Sequence, residues 1–283
     1  MARILITRRL PGDPHDRLAA EGHDVDVWEG DLPPSDEELR ARAQGAEGLI
    51  TLLTERVDAD LLDALPDLKV VSNYAVGSDN IDLDAADERG VAVGVTPDVL
   101  TEATADLAWA LMLTAARGIV PAAADVHAGR WRTWEPQGWI GRDVHGASLL
   151  VVGAGRIGQA VAKRGTGFDM DVAVADIGDD LMGMLPKADF VSLHVPLSES
   201  TEGLIGAEQL AAMKPTAILV NTARGRSSTA TRWRRRCTTA RSGARRSTSP
   251  SPSRCRPTTR CCRRRTCSSS PTSGRPPRGR ARR

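Results

Sequence analysis

The feature that most constrains this chain is an apolar run that breaks into glycines, Val151-Val152-Gly153-Ala154-Gly155-Arg156-Ile157-Gly158. Apolar residues running straight into G-x-G-x-x-G describe a buried strand that turns sharply into a helix. Gly153 permits the tight turn, Gly155 lets a pyrophosphate approach the backbone, and Gly158 lets the helix pack closely on its strand. The phosphates then meet the helix N-terminus. Alone, such a triplet is as often a structural glycine turn. Its flanks favour the nucleotide reading: residues 148–152 read as a strand, 157–164 as a helix and 172–175 as a second strand ending at Asp176. Asp176 lies 18 residues beyond Gly158, where a carboxylate receives the ribose hydroxyls of NAD.

The residues before the motif alternate strands and helices. Residues 3–7 open as a short apolar strand, 16–20 make a helical turn, and Val25 and Val27 mark a second strand. Ser35 followed by Glu38 is a capping-box pattern for a helix through Arg42, and residues 48–52 form a third strand. Leu52 and Leu53 after it could border a small apolar pocket or sit in the core. Asp58 caps a helix that stops at Pro66; 68–72 is a strand, 82–89 a helix ended by Gly90, and 91–95 a fifth strand. Strands separated by helices imply a parallel sheet covered on both faces, an α/β fold. Residues 101–117, with Leu107, Leu111, Leu113 and many alanines, predict a long buried helix closed by Gly118 that links two domains. Trp131, Trp134 and Trp139 read as packing residues. Further strands at 190–194 and 217–221 end in polar residues, where an open α/β sheet places its ligands.

Charge divides the chain in two. Of 283 residues, the first 225 carry 19 Lys+Arg against 36 Asp+Glu, whereas 226–283 carry 19 arginines and no Lys, Asp or Glu. All five cysteines (Cys237, Cys255, Cys261, Cys262 and Cys267) also lie in that last segment, so the body needs no disulfide. Their spacing fits no zinc pattern, because no histidine follows His194, and no metal site is expected. With neither a charged-then-apolar leader nor an apolar run of about 18 residues, a cytoplasmic chain without a membrane segment is expected.

Residues 1–225 resemble the D-isomer-specific 2-hydroxyacid dehydrogenases, most nearly their glyoxylate and hydroxypyruvate reductases. The resemblance rests on Asn73-Tyr74-Ala75-Val76-Gly77-Ser78-Asp79-Asn80-Ile81-Asp82, Thr101-Glu102-Ala103-Thr104-Ala105-Asp106-Leu107, the glycine loop, His194-Val195-Pro196-Leu197 and Asn221-Thr222-Ala223-Arg224-Gly225. It implies a flavodoxin-like substrate domain over 1–98, a Rossmann NAD-binding domain over 99–225, a cleft between them and a homodimer. The backbone amides of Val76 and Gly77 would hold a substrate carboxylate, which suits a glycine turn. Thr104, His194, Val195, Pro196 and Thr222 would line the cofactor, together with Gly153, Gly155, Arg156, Ile157, Gly158 and Asp176. Arg224 would be the catalytic residue, pairing with a small 2-oxo acid through two parallel charge-assisted hydrogen bonds. The Asp176 carboxylate, with Asp179 and Asp180 nearby, would favour NADH over NADPH.

The chain departs from this pattern twice. Only 13 residues separate Asp176 from Phe190, where the family fits another helix and an edge strand; one crossover is lost, the remaining route is tight, and this puts the wall beside the adenosine in question. After Gly225 the family continues with an acidic D-V-x-x-x-E-P strand and a P-H-[IV]-G motif whose histidine donates the proton. Neither occurs. Residues 226–283 hold almost no aliphatic side chain to offset their ordering entropy, so a disordered tail is expected and the Rossmann domain is incomplete. Taking the last base of each codon with the first two of the next, Arg226-Ser227-Ser228-Thr229 can be back-translated to read Pro-Val-Val-Asp, the family's continuation. The same shift lets residues 247–253 read D-V-T-E-P-E and Pro271-Thr272-Ser273-Gly274 read H-I-G. These recovered motifs suggest a frameshift at about residue 226.

Three function classes follow. The first is a dehydrogenase moving hydride between NAD(P)H and a small 2-oxo acid, in which this chain is inactive because the catalytic Glu and His motifs are missing. The second is a non-catalytic NAD-binding regulatory protein, resembling the family's corepressor members. The third is a nucleic-acid binder using the arginine tail, disfavoured because the tail holds one tryptophan, Trp233, and no recognisable module.

Overall fold

Short apolar strands alternating with capped helices build two parallel sheets in the computed structural model, which describes residues 1–228. The chain divides into a unit of Met1–Leu100 and a second beginning at Thr101. The expected disorder of the arginine-rich tail concerns residues beyond 228 and lies outside the described residues.

The first unit runs β1 (Arg3–Ile6), α1 (Pro14–Ala20), β2 (Asp24–Val27), α2 (Asp36–Arg42), β3 (Gly48–Thr51), α3 (Ala59–Ala64), β4 (Val70–Asn73), α4 (Leu83–Glu88) and β5 (Ala92–Gly94). Its strands lie parallel in the order β2-β1-β3-β4-β5, the flavodoxin-like arrangement. Helix starts follow side-chain chemistry. Ser35 and Glu38 form the reciprocal capping box of α2. Asp58 accepts from the Leu61 amide and Asp82 from the Ala85 amide, capping α3 and α4. The core gathers Leu5, Leu39, Leu49, Leu61, Leu62, Val71 and Ile81.

The second unit opens with α5 (Thr101–Arg117) and α6 (Ile119–His127), then β6 (Ser148–Val152), α7 (Arg156–Thr166), β7 (Asp171–Ala175), α8 (Leu181–Met184), β8 (Phe190–Leu193), α9 (Ala207–Ala212) and β9 (Ile218–Asn221). Its parallel sheet has the order β7-β6-β8-β9, which is Rossmann-like. Alternate residues face opposite cores. Leu149, Val151, Phe190, Ile218 and Val220 pack with α5 and α7; Leu150, Val152, Val191, Leu193 and Leu219 pack with the α8 and α9 side.

Several expectations need correcting. Gly118, at φ 62, closes α5 as expected, but a second helix not foreseen, α6, starts directly after it, with Pro121 in a first turn that needs no amide donor. The core stripe of α5 is led by its alanines, Trp109 and Met112, with Leu111 and Leu113 half-buried beside it. Ala105, Ala108, Trp109, Met112 and Ala116 are buried, whereas Leu107 is 41% exposed. Small side chains face inward because α7 packs against them, and Trp109 fills the gap by stacking on Phe168 and donating to the Val161 carbonyl at 3.0 Å. Trp131, Trp134 and Trp139 are exposed rather than packed into a core, because 130–147 contains no regular element that would turn them inward. Among the described residues no single helix is long and apolar enough to cross a membrane.

Candidate functional site

The register of the second sheet aligns the carboxyl ends of its strands. Val152 pairs with Ala175 and Leu193, and Leu193 with Asn221, so the segments leaving β6, β7, β8 and β9 start along one row. Gly153, Asp176, His194 and Thr222 are the next residues on each, and this sheet edge is where open α/β sheets carry ligands.

Each glycine of the first turn has a different constraint. Gly153 has φ 105, and a Cβ there would stand 2.8 Å from the His194 carbonyl carbon and oxygen; the turn is packed against the neighbouring loop's peptide. Gly158 admits no side chain either, since a Cβ would run into the Gly153 carbonyl oxygen. Gly155, the N-cap of α7, has extended backbone, and a Cβ added to it would meet nothing within 4 Å. The space in front of it is open, and the α7 N-terminus, including exposed Arg156 and half-buried Ile157, lies beyond it. This geometry fits a pyrophosphate. Asp176 is exposed at the end of β7, its carboxylate accepting from the Ile177 amide at 2.9 Å while its own amide donates to Asp179 at 2.7 Å.

Two side chains pin the loops after β8 and β9. His194, whose amide donates to the Val152 carbonyl at 2.7 Å, lies with Nε2 2.7 Å from the Ser192 hydroxyl and Nδ1 3.3 Å from the Thr222 hydroxyl. Burial pushes the imidazole down to about 4, so it is neutral at physiological pH. Val195 is half-buried and Pro196 exposed on the same loop. Asn221, 4% exposed, accepts from the Ala223 amide at 2.9 Å and donates to the Arg224 carbonyl at 2.8 Å, fixing the turn that carries the half-buried Arg224. Thr104 lies half-buried in the first turn of α5.

In the first unit, Val76 and Gly77 follow β4. Neither amide donates to another described residue, while the loop around them is held from below. Asn73 donates to the Gly77 carbonyl at 2.8 Å and to Asn80 at 3.0 Å; Asn80 donates to the carbonyls of Leu52 and Glu55. Glu55, 3% exposed, accepts from the Thr7 hydroxyl and the Leu52 amide, each at 2.7 Å, and from Thr54. Sequence reasoning misses this polar support. Its one signal is the pair of asparagines, Asn73 and Asn80, whose side chains meet only once the turn is made. Leu53, open to either a pocket or a core role, is 41% exposed.

Comparison with known proteins agrees with this geometry. The family model for the D-isomer specific 2-hydroxyacid dehydrogenase, NAD binding domain, matches residues 109–230. A glyoxylate reductase of Korarchaeum cryptofilum is 44% identical over 238 residues, spanning 79% of this chain and 71% of the relative. One from Thermococcus onnurineus is 43% identical over 241 residues, covering 79% and 72%. Among solved structures, the TT0316 protein from Thermus thermophilus superposes with a TM-score of 0.79 at 45% identity, covering 83% of this chain and 78% of that one.

Proposed function

The chain belongs to the D-isomer-specific 2-hydroxyacid dehydrogenase family, and we propose that it derives from an NADH-linked reductase of a small 2-oxo acid such as glyoxylate or hydroxypyruvate but has itself lost turnover. The observation that carries the reading is the row of strand ends, with Gly155 open, Asp176 exposed after β7 and Arg224 on the turn after β9. Bound NADH would supply hydride to the carbonyl carbon. Gly155 and the α7 N-terminus receive its phosphates, Asp176 its ribose hydroxyls, and the loops of Thr104, His194–Pro196 and Thr222 its remaining surface. A 2′-phosphate would meet the carboxylate of Asp176, with Asp179 hydrogen-bonded to its amide, so NADH is preferred over NADPH. In the second unit Arg224 is the candidate to align a 2-oxo acid through paired hydrogen bonds; in the first, taken by itself, the amides of Val76 and Gly77 are candidate donors to a carboxylate.

Reduction leaves an alkoxide that needs a proton, and a positioned acid commonly contributes about 100- to 10,000-fold. His194 does not fill that role: it is neutral, mostly buried and placed between two hydroxyls. The family's proton-donating histidine can be back-translated from the alternative frame across Pro271 and Thr272. Ser227 supports this frameshift account. The residue is fully buried, its Oγ has no partner among the described residues, and the shifted frame can be back-translated to valine there. Homodimer formation belongs to the same reading and is supported by the exposure of Trp131, Trp134 and Ile140 at 60%, 77% and 73%.

The test compares this chain with one whose frame is restored after Gly225, at equal soluble concentration, following oxidation of NADH and of NADPH with glyoxylate or hydroxypyruvate. Turnover confined to the restored chain, and faster with NADH, is expected. Equal turnover by the two overturns the lost-donor account, and faster oxidation of NADPH overturns the cofactor preference.

A further inference from the structure

The dinucleotide-binding sheet with strand order 3-2-1-4-5-6 holds its phosphates after the first strand and its adenosine ribose after the second. In this chain β6 stands first, β7 second, β8 fourth and β9 fifth. Among the described residues no strand stands third, beyond β7. The connection from Asp176 to Asp189 explains why. It turns at once, with the Asp179 amide donating to the Asp176 carbonyl at 3.1 Å. Then α8 and the following 3-10 turn place Leu181, Met184 and Leu185 in one cluster with Leu150, Val152, Ala175, Val191 and Leu193. Those residues cover a face of the sheet and leave its edge unextended. Ile177, next to the ribose carboxylate, is 93% exposed, and Asp176, Gly178, Asp179 and Asp180 are exposed with it.

We propose, resting on the dinucleotide reading above, that the purine end of this cofactor site is open, so that it takes dinucleotides whose base carries a bulky substituent. On the β7 side the ribose at Asp176 is the last group the protein grips, the His194–Pro196 loop standing after β8 on the other side of β6. Enclosed pockets discriminate because their walls clash with added atoms and leave polar groups unpaired when atoms are removed. Here the second unit presents no third strand, among the described residues, to clash with an extension of the base, and the side chains around Asp176 that face solvent are acidic or, at Ile177, apolar. The exocyclic amine of adenine therefore contributes little to affinity, and tethering it costs little.

Titrating the full 283-residue chain with NADH, N6-(6-aminohexyl)-NADH and the hypoxanthine analogue of NADH, read by reduced-nicotinamide fluorescence and calorimetry, tests this without any turnover. The three dissociation constants are expected to agree within about threefold, and Asp176→Ala is expected to weaken all three by the same factor. A loss of about tenfold or more for either modified base, with NADH binding retained, shows a wall around the purine and overturns the inference while sparing the dinucleotide reading. Unequal effects of Asp176→Ala across the three ligands overturn it as well. If NADH itself fails to bind, the dinucleotide reading falls and this inference with it.

Discussion

His194 makes the second unit sensitive to acid in a pH window that carboxylates do not share. In the fold its imidazole is driven from an ordinary value of 6.5 to about 4 by burial between β8 and β9, whereas in the unfolded chain it takes up a proton near 6.5. The unfolded state therefore binds the proton first as pH falls. The contribution to stability is complete above about pH 6.5, declines through the interval and is lost below about pH 4. The full difference is roughly 3 kcal/mol, of which about 2 kcal/mol is gone by pH 5. Asp26, held below its usual range by Arg42, and Glu47, held low by Lys69, also lose stability in acid, but below the carboxylate values of the unfolded chain. Urea unfolding of the chain and of His194→Gln, followed by circular dichroism between about pH 7.5 and about pH 5, separates the two sources. The variant keeps a neutral amide facing both hydroxyls, so its midpoint should fall less than that of the native side chain over this range. Parallel profiles for the two proteins would refute the claim that His194 is buried in its neutral form.

The glycine turn makes opposite predictions two residues apart. Gly153→Ala forces a side chain into φ 105 and against the His194 peptide, and should destabilise the second unit by about 3 kcal/mol or more; an unchanged urea midpoint sinks the packing argument. Gly155→Ala meets open space, so the midpoint should stay put while NADH affinity falls by about tenfold or more; native affinity in that variant refutes the phosphate path. Ser227→Val should raise stability by about 1 kcal/mol, because it replaces a buried hydroxyl without a partner among the described residues, and a lowered unfolding midpoint counts against valine having occupied that slot.

Legibility follows how local each cause is. The glycine turn is readable because its constraints act on the backbone of consecutive residues, and the capping box at Ser35 and Glu38 because both partners lie within one helical turn. Parallel sheets follow from alternating strands and helices. The inward face of α5 misleads because large apolar residues dominate a periodicity argument, while the neighbouring helix selects for small ones. The short α9 is hard to see because its N-terminus carries Gly206, whose amide is satisfied by the Gln209 side chain at 3.0 Å, a cap that shows little in composition. The support beneath Val76 and Gly77 is hidden for another reason. Thr7, Glu55 and the Asn73–Asn80 turn come from three separate segments, and no spacing rule joins them before the sheet brings them together.

At the last described residues the backbone and the side chains give different answers. Beyond Gly225 the chain still makes a 3-10 turn, in which the Ser227 amide donates to the Arg224 carbonyl at 3.1 Å. The Ile205 amide then donates to the Ser227 carbonyl at 3.2 Å, and Ile205 pairs with Ser228. All of these bonds are main-chain, so they form whether residue 227 is serine or valine. The side chain does not share that indifference: Ser227 is buried beside a fully buried Ile205 with its hydroxyl unmatched among the described residues. A position whose backbone satisfies the fold while its side chain conflicts with the surroundings is what a shifted reading frame would leave at its first buried residue. A lineage selected with serine there would be expected to supply the hydroxyl with a partner.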